Sequence, residues 1–129
     1  MNVLLDTHIF LWSILDPEKI PAKSLNCIMD TKNELYLSFA SVWEMTIKQS
    51  LNKLHLDTSI KGAVEESIFR YGLRLLSLQT EHIYNLENLP YHHKDPFDRI
   101  LLSQCQIENM VLVSDDSIFK KYKIKLISN

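Results

Sequence analysis

The alternation of short strand-like runs with longer helical segments restricts the fold of this 129-residue chain more than any other feature. Strand-like runs rich in branched residues occur at residues 3–5, 35–37, 73–76, 110–113 and 125–127. Helical hydrophobic patterns fill most of the intervals, at residues 7–15, 22–32, 41–51, 59–71, 80–87, 98–108 and 117–121. Strands that alternate with helices form right-handed βαβ units, so the sequence predicts an α/β fold with a mainly parallel sheet.

Length and composition favour one ordinary globular domain over residues 1–129. The apolar runs are too short to cross a bilayer, and no basic leader precedes the first of them, so we expect neither membrane insertion nor export. The two cysteines, Cys27 and Cys105, lie within apolar patterns and form no C-x-x-C motif, which favours a reducing cytoplasm. A formal net charge of −2 provides no overall attraction for nucleic acid.

Acidic residues stand where the predicted strands end or where helices begin. Asp6 directly follows the first strand, and Asp116 follows the fourth strand in the stretch "SDD". Glu44 and Asp98 each lie in the first turn of a predicted helix. Because parallel sheets bind ligands beyond the carboxyl ends of their strands, we expect these four acids to meet at one edge of the sheet.

Helix capping is the alternative explanation for each acid taken singly. Ser41-x-x-Glu44 has the form of a capping box, and Asp95 fits an N-cap followed by Pro96, with Asp98 in the same turn. The acids that follow strands would make ordinary caps as well. Capping alone leaves each acid free to face solvent.

The orientation of the helix acids favours a site over simple capping. Asp98 shares a helix stripe with the apolar residues Leu101, Leu102 and Cys105, which indicates that its carboxylate tilts toward the core. Glu44 stands in the same relation to the apolar stripe of its own helix. A solvated capping acid needs no such alignment.

Convergence of four carboxylates requires neutralisation. Two like charges about 4 Å apart repel by roughly 4 kcal/mol at an effective dielectric constant of 20. A helix dipole stabilises an acid at the helix N-terminus by only about 0.3–1 kcal/mol. Either a carboxyl group keeps its proton or a divalent cation lies among the oxygens, and oxygen ligands favour Mg²⁺ or Mn²⁺. Such a site suits metal-assisted hydrolysis of phosphodiesters.

Further polar residues flank the acids. Thr7 and Ser114 carry hydroxyl groups that could orient water or a phosphate, although either would serve equally well as a helix cap. Three basic residues are candidates for contact with substrate phosphates: Lys48 lies one helical turn from Glu44, Lys94 precedes Asp95, and Arg99 follows Asp98.

The adjacent histidines His92 and His93 also precede the acids of the sixth predicted helix. Histidines in loops more often cap or pack than act in catalysis. The sequence therefore assigns neither of them a catalytic role.

Four stretches taken together resemble a known family: "LLDTHIFLW", "SFASVWEMTIK", "LPYHHKDPFDRILLSQC" and "LVSDDSIFKKY". In this order and at these separations they resemble PIN-domain ribonucleases of the VapC type, the toxin half of toxin–antitoxin pairs. The resemblance spans nearly the whole chain. It implies a PIN-like three-layer α/β/α fold, an Mg²⁺- or Mn²⁺-dependent endoribonuclease that cleaves RNA to 5′-phosphate and 3′-hydroxyl ends, a homodimer, and a small inhibitory antitoxin protein.

The resemblance also implies roles for particular residues. The catalytic and metal-ligating positions of the family fall on Asp6, Glu44, Asp98 and Asp116. Ser114 stands where the family has threonine, and Asp95 is expected either to support the site or to cap its helix. Through its C-terminal segment, an antitoxin would offer an arginine to the carboxylates.

Two other function classes remain open at this level. A non-enzymatic RNA-binding or regulatory domain of the same fold would normally lack one or more of the four acids. A DNA-directed metal-dependent nuclease would need additional segments to thread DNA, for which 129 residues leave little room.

Overall fold

A five-stranded sheet forms the centre of the structure, a computed structural model that describes residues 1–128. The strands are β1 (Asn2–Leu5), β2 (Glu34–Ser38), β3 (Arg74–Leu76), β4 (Val111–Val113) and β5 (Lys125–Ile127). They lie in the order β3-β2-β1-β4-β5, and every neighbouring pair is parallel. The predicted α/β fold with a mainly parallel sheet is confirmed.

Six α-helices connect or follow the strands: α1 (Thr7–Leu15), α2 (Ala22–Met29), α3 (Phe39–Ser50), α4 (Ile60–Tyr71), α5 (Thr80–Tyr84) and α6 (Pro96–Glu108). Short 3₁₀ segments lie at Pro17–Lys19, Asn85–Asn88 and Ser117–Lys121. The longest helix has 13 residues. Within residues 1–128, no helix combines the length and the apolar character that crossing a membrane requires.

Helices α3 and α6 begin two residues earlier than the sequence predicted. The hydroxyl oxygen of Ser38 accepts a hydrogen bond from the Ala40 amide at 3.0 Å and so caps α3. Asp95 caps α6 by accepting from the amides of Phe97 and Asp98. Ser38 and Asp95 both precede the first residues of the apolar stripes from which the sequence predicted the two helices. The predicted helix starts are therefore too late.

The helices cover both faces of the sheet. In β1, Val3 and Leu5 pack into one buried cluster, which contains Phe10 of α1 and Met45 of α3. Leu4 points to the opposite face. There it joins a second cluster, whose members outside the sheet include Leu101, Leu102, Cys105 and Phe119. This alternation along β1 produces the predicted three layers.

The two central strands bring the polar loops together. The backbone amide of Asp6 donates to the Val113 carbonyl at 2.9 Å, so pairing of β1 with β4 continues to the first residue beyond β1. Similarly, the Ser114 amide donates to the Ile127 carbonyl at 3.1 Å. Asp6 and Ser114 therefore leave the sheet side by side at its carboxyl edge.

Candidate functional site

The four predicted acids, Asp6, Glu44, Asp98 and Asp116, come together at this edge. Their proximity is evident at Asp98, whose pKa is raised to about 8. Burial is the largest cause, and the negative charges of Asp6, Asp95, Glu44 and Asp116 add to it. A carboxyl group with such a pKa keeps its proton over much of the neutral pH range, which is one of the two forms of neutralisation expected from the sequence.

Asp6 and Glu44 form the inner half of the site. Their residues are only 3% and 4% exposed, respectively. Asp6 Oδ2 accepts a hydrogen bond from Ser114 Oγ at 2.6 Å, and Glu44 Oε2 contacts Lys48 Nζ at 2.9 Å. The other oxygen of each carboxylate, Asp6 Oδ1 and Glu44 Oε1, is buried and has no hydrogen-bond partner among residues 1–128. Each inner acid therefore has one oxygen available to a ligand.

Neither inner acid is a helix cap. Asp6 occupies the N-cap position of α1, but within residues 1–128 its side chain makes no capping hydrogen bond of good geometry, although the nearby His8 amide lowers its pKa. Glu44 lies beyond the first turn of α3, which is capped by Ser38. The capping-box interpretation of Ser41 and Glu44 is therefore wrong, because the helix begins before Ser41.

The hydroxyl groups tie the site to its surroundings. Thr7 Oγ1 donates to Ser41 Oγ at 2.8 Å, and this buried contact joins the beginning of α1 to α3. Ser114 Oγ, which donates to Asp6, also accepts from the backbone amide of Asp116 at 3.1 Å. Ser114 thus connects the loop after β1 to the loop after β4.

Burial is the main reason that the pKa of Asp6 is raised. The hydrogen bond from Ser114 acts in the opposite direction, as do the charge and the backbone amide of His8, and the negative charge of Glu44 is a smaller contribution to the increase. The environment of Asp6 is thus costly for a carboxylate that has no cation beside it.

Asp98 and Asp116 form the outer half of the site, with His93 between them. His93 Nε2 lies 3.0 Å from Asp98 Oδ2 and 3.0 Å from Asp116 Oδ2. Asp116 Oδ1 accepts from the Ile118 amide at 3.0 Å and so caps the 3₁₀ segment Ser117–Lys121. Asp116 therefore combines a capping role with a position at the site, whereas its neighbour Asp115 is exposed.

Asp95 acts as the cap of α6. Its Oδ1 accepts from the Phe97 amide at 2.8 Å and from the Asp98 amide at 3.2 Å. Of the two expectations for Asp95, capping is the one that the hydrogen bonds support. Its negative charge also contributes to the raised pKa of Asp98.

The three candidate substrate-binding residues are placed very differently. Lys94 is exposed. Lys48 is partly exposed, and its Nζ contacts Glu44. Burial alone would lower the pKa of Lys48, but the hydrogen bond to Glu44 and the charges of Glu44, Asp95 and Asp98 raise it. Lys48 is thus held as a cation at the rim of the site.

Arg99 requires a correction. The residue is only 4% exposed, and its guanidinium donates to the backbone carbonyls of Leu86, Leu89, Pro90 and His93. These contacts leave the group inside the protein, so the prediction that Arg99 contacts substrate is wrong. Arg99 organises the loop ahead of α6 because one planar guanidinium can satisfy several carbonyls at once.

His93 is the residue of this site that the sequence did not identify. One ligand atom from each of His93, Asp98 and Asp116 lies within 4.8 Å of the others, a spacing that a metal ion could bridge. The one sequence feature that could have indicated a role for His93 is its position two residues before Asp95, the cap of α6. Nothing in the local pattern distinguishes His93, which is buried, from His92, which is exposed.

Comparison with known proteins provides one family match. A family model described as the PIN domain matches residues 3–125. No curated protein sequence matches the chain.

Solved structures with the same fold cover nearly the whole chain. One is the structure of VapBC2 from Rickettsia felis bound to a DNA fragment from its promoter. It is 18% identical to this chain with a TM-score of 0.75, and the alignment covers 99% of this chain and 98% of that chain. DNA-bound VapBC from Salmonella typhimurium is 14% identical with a TM-score of 0.70, at 99% and 98% coverage. VapBC-1 from nontypeable Haemophilus influenzae is 15% identical with a TM-score of 0.66, again at 99% and 98% coverage. At these identities the similarity is one of fold.

Proposed function

The chain belongs to the PIN-domain family, and on that premise we propose that it is a metal-dependent endoribonuclease of the VapC type, the toxin of a toxin–antitoxin pair. One observation carries the proposal. Asp6 Oδ1 and Glu44 Oε1 are buried carboxylate oxygens without a hydrogen-bond partner in the described part of the chain. They lie in a cluster whose negative charges also raise the pKa of Asp98.

A divalent cation fits this donor set. A buried polar atom without a partner costs about 1–3 kcal/mol, and more when it is charged. A stable fold tolerates two such atoms most readily where a ligand completes them. Asp6, Glu44, Asp98 and Asp116 would hold the ion, and their oxygen ligands favour Mg²⁺ or Mn²⁺. When bound, the ion supplies an activated water and stabilises the negative charge that develops on the phosphate.

The remaining residues position this chemistry. Ser114 donates to one oxygen of Asp6, and the other oxygen has no hydrogen-bond partner among residues 1–128. Lys48 and Lys94 place positive charge at the rim, where it would attract the RNA backbone. Because the acids repel phosphate without a cation, substrate binding and metal binding should strengthen each other.

The assignment to the VapC type is supported by relatives of the same fold. The structures from three bacteria named above carry the designation VapBC. We infer a small antitoxin partner for this chain whose arginine would enter the acidic cluster in place of the metal, together with a homodimeric and cytoplasmic state. An arginine suits the site because it offers a planar set of donors to carboxylate oxygens.

The test is cleavage of a labelled RNA panel by purified protein with Mg²⁺, Mn²⁺ or EDTA, next to a sequence-matched single-stranded DNA. The variant Asp98→Asn removes a site acid, and Asp115→Asn is the matched control because Asp115 is exposed. We expect metal-dependent RNA cleavage by wild type and by Asp115→Asn only. Cleavage of DNA in preference to RNA would contradict the ribonuclease assignment. RNA binding without any cleavage would favour a regulatory domain instead.

The antitoxin proposal has a separate test in cells. Expression of the chain alone should arrest growth, and co-expression with the small open reading frame next to its gene should restore it. Persistent arrest while the two proteins form a complex would contradict inhibition by that partner.

A further inference from the structure

His93 is buried between the two outer acids, where it is only 7% exposed. Its Nε2 contacts Asp98 Oδ2 and Asp116 Oδ2 at 3.0 Å each. Its ring lies against Phe119, with ring centroids 5.3 Å apart. A histidine in this place has two opposite uses for a metal site. It can bind the ion through a nitrogen lone pair, or it can donate a proton to the acids that bind the ion.

The second ring nitrogen distinguishes these uses. The backbone amide of Asp95 donates to His93 Nδ1 at 3.2 Å. A ring nitrogen that accepts a hydrogen bond carries no proton, so the proton of the neutral ring is on Nε2 and points at the two carboxylates. In this tautomer neither nitrogen has a lone pair free for a metal ion.

The backbone around His93 holds the ring in this orientation. The His93 amide donates to the Tyr122 hydroxyl at 2.7 Å, and that hydroxyl donates to the Pro90 carbonyl at 2.7 Å. The His93 carbonyl accepts from Arg99, whose guanidinium lies 3.7 Å from the centre of the Tyr91 ring. Rotation of the ring by half a turn would remove the acceptor from the Asp95 amide and the donor from the acids.

Asp98 and Asp116 need such a donor. In the ionised form that binds a cation, two full charges separated by about 5 Å repel by roughly 3 kcal/mol at an effective dielectric constant of 20. A hydrogen bond to a charged acceptor contributes about 1.5–3 kcal/mol. The hydrogen bond from His93 to Asp116, with Asp98 Oδ2 3.0 Å from the same Nε2, is therefore of the right magnitude to offset this repulsion.

We propose that His93 is a positioning residue that holds Asp98 and Asp116 in the metal-binding arrangement by donating Nε2–H to Asp116 and lying 3.0 Å from Asp98, and that it is not itself a metal ligand. This inference rests on the proposed metal-dependent function and deepens it. Imidazole ligands favour zinc, nickel and copper, whereas an all-oxygen set favours Mg²⁺ and Mn²⁺. A histidine that donates thus keeps the site an oxygen site.

The first experiment uses metal-free wild-type protein. Two-dimensional ¹H–¹⁵N NMR of the histidine rings reports which nitrogen carries the proton. We expect the Nε2–H tautomer for His93, assigned by the loss of its signals in His93→Gln. An Nδ1–H tautomer would overturn the proposal, since Nε2 would then offer a lone pair to a metal. This measurement needs no bound ion, so it decides the donor role even if the proposed metal-dependent function fails.

The second experiment measures Mn²⁺ binding by calorimetry and pulsed EPR for wild type, His93→Ala, His93→Gln and the control His92→Ala. His92 is the exposed neighbour of the same residue type. Loss of the donor should weaken Mn²⁺ binding roughly 10- to 100-fold in His93→Ala, the range for residues that orient metal ligands. His93→Gln keeps an N–H donor and should stay within about threefold of wild type, as should His92→Ala.

The EPR spectra separate positioning from ligation. Wild type with Mn²⁺ should show no ¹⁴N coupling of the size that a directly bound imidazole produces. Strong ¹⁴N coupling that disappears in His93→Gln would overturn the proposal, and so would unchanged Mn²⁺ affinity in His93→Ala. Wild type that binds no Mn²⁺ at all would overturn the proposed function together with the metal-positioning role. Thermal unfolding of each metal-free variant confirms that affinities are compared between folded proteins.

Discussion

The inner and outer halves of the acidic site have the same charge but opposite environments. Asp6 and Glu44 are almost completely buried, and each has a carboxylate oxygen without a partner among residues 1–128. Asp98 and Asp116 have side chains that are 18% and 36% exposed, respectively, and His93 contacts both. In the inner half, each acid has a carboxylate oxygen without a partner among residues 1–128, whereas in the outer half His93 connects the two acids.

This difference indicates that four acids at one sheet edge are not four equivalent ligands. Burial of an inner acid costs desolvation free energy, and few protein interactions offset that cost unless a cation is bound. Asp116, in the outer half, accepts hydrogen bonds from Ile118 and His93 whether or not a cation is present. Substitutions in the two halves should therefore affect cleavage, stability and pH dependence unequally.

The largest effect is expected when the inner half is broken. Asp6→Asn should reduce the rate of RNA cleavage by roughly 10³-fold, because loss of a buried ligand removes about 4 kcal/mol of transition-state stabilisation. Single-turnover cleavage and Mn²⁺ calorimetry measure the effect, with Asp115→Asn as the control of unchanged activity. A decrease in cleavage rate smaller than tenfold in Asp6→Asn would contradict the proposed difference between the inner and outer acids.

The next effect concerns the support of the outer half. Arg99→Met should lower the free energy of unfolding by about 3 kcal/mol, because it leaves several backbone carbonyls without their donor. Urea denaturation of metal-free protein measures it. Arg70→Met is the matched control, since Arg70 is a solvent-exposed residue of α4 paired with Glu66, and it should change stability by less than about 1 kcal/mol. Equal losses in the two variants would contradict the supporting role of Arg99.

A smaller effect is expected at Asp116. Asp116→Asn should reduce cleavage about 10- to 100-fold and lower stability by about 1.5 kcal/mol, because asparagine caps the 3₁₀ segment as well as aspartate does but is an uncharged acceptor for His93. Cleavage rates and urea denaturation, measured on the same preparations, test both statements. A rate as low as that of Asp6→Asn would place Asp116 with the inner acids.

The last effect is the pH dependence of metal-free protein. The folded pKa of Asp98 is about 8, above its ordinary value of 3.8, so the folded state retains a proton that the unfolded state releases. The contribution of this group to stability is complete below about pH 4 and is lost as the pH rises through about 8.

Melting temperatures at intervals between pH 5 and 9 measure this decline. Asp98→Asn should remove the part of the decline that comes from Asp98. Added Mn²⁺ should stabilise wild type more at pH 8 than at pH 6, because protons compete with the ion for the carboxylates. An identical decline in Asp98→Asn would show that other groups cause it.

Much of the fold and part of the site could be predicted from the sequence. The alternating patterns identified every strand, because a buried strand of three to five residues has a distinct composition. The positions of Asp6 and Asp116 at strand ends and of Glu44 and Asp98 in helices predicted their meeting, since parallel strands end at one edge. Helix starts were less accurate, because a cap such as Ser38 precedes the apolar stripe that reveals the helix.

The sequence by itself thus determined the α/β class, the order of the elements and the edge at which the acids gather. These properties follow from short-range periodicity and from the direction of parallel strands. Only the tertiary structure decided that Arg99 turns inward, that Asp6 Oδ1 has no hydrogen-bond partner among residues 1–128, and that His93 lies between two acids. The reason is that each depends on atoms far away in the chain: His93 is held by Tyr122, and Asp6 by Ser114. Burial and hydrogen bonding at such positions depend on which distant segments pack together, and the local sequence pattern does not specify this packing.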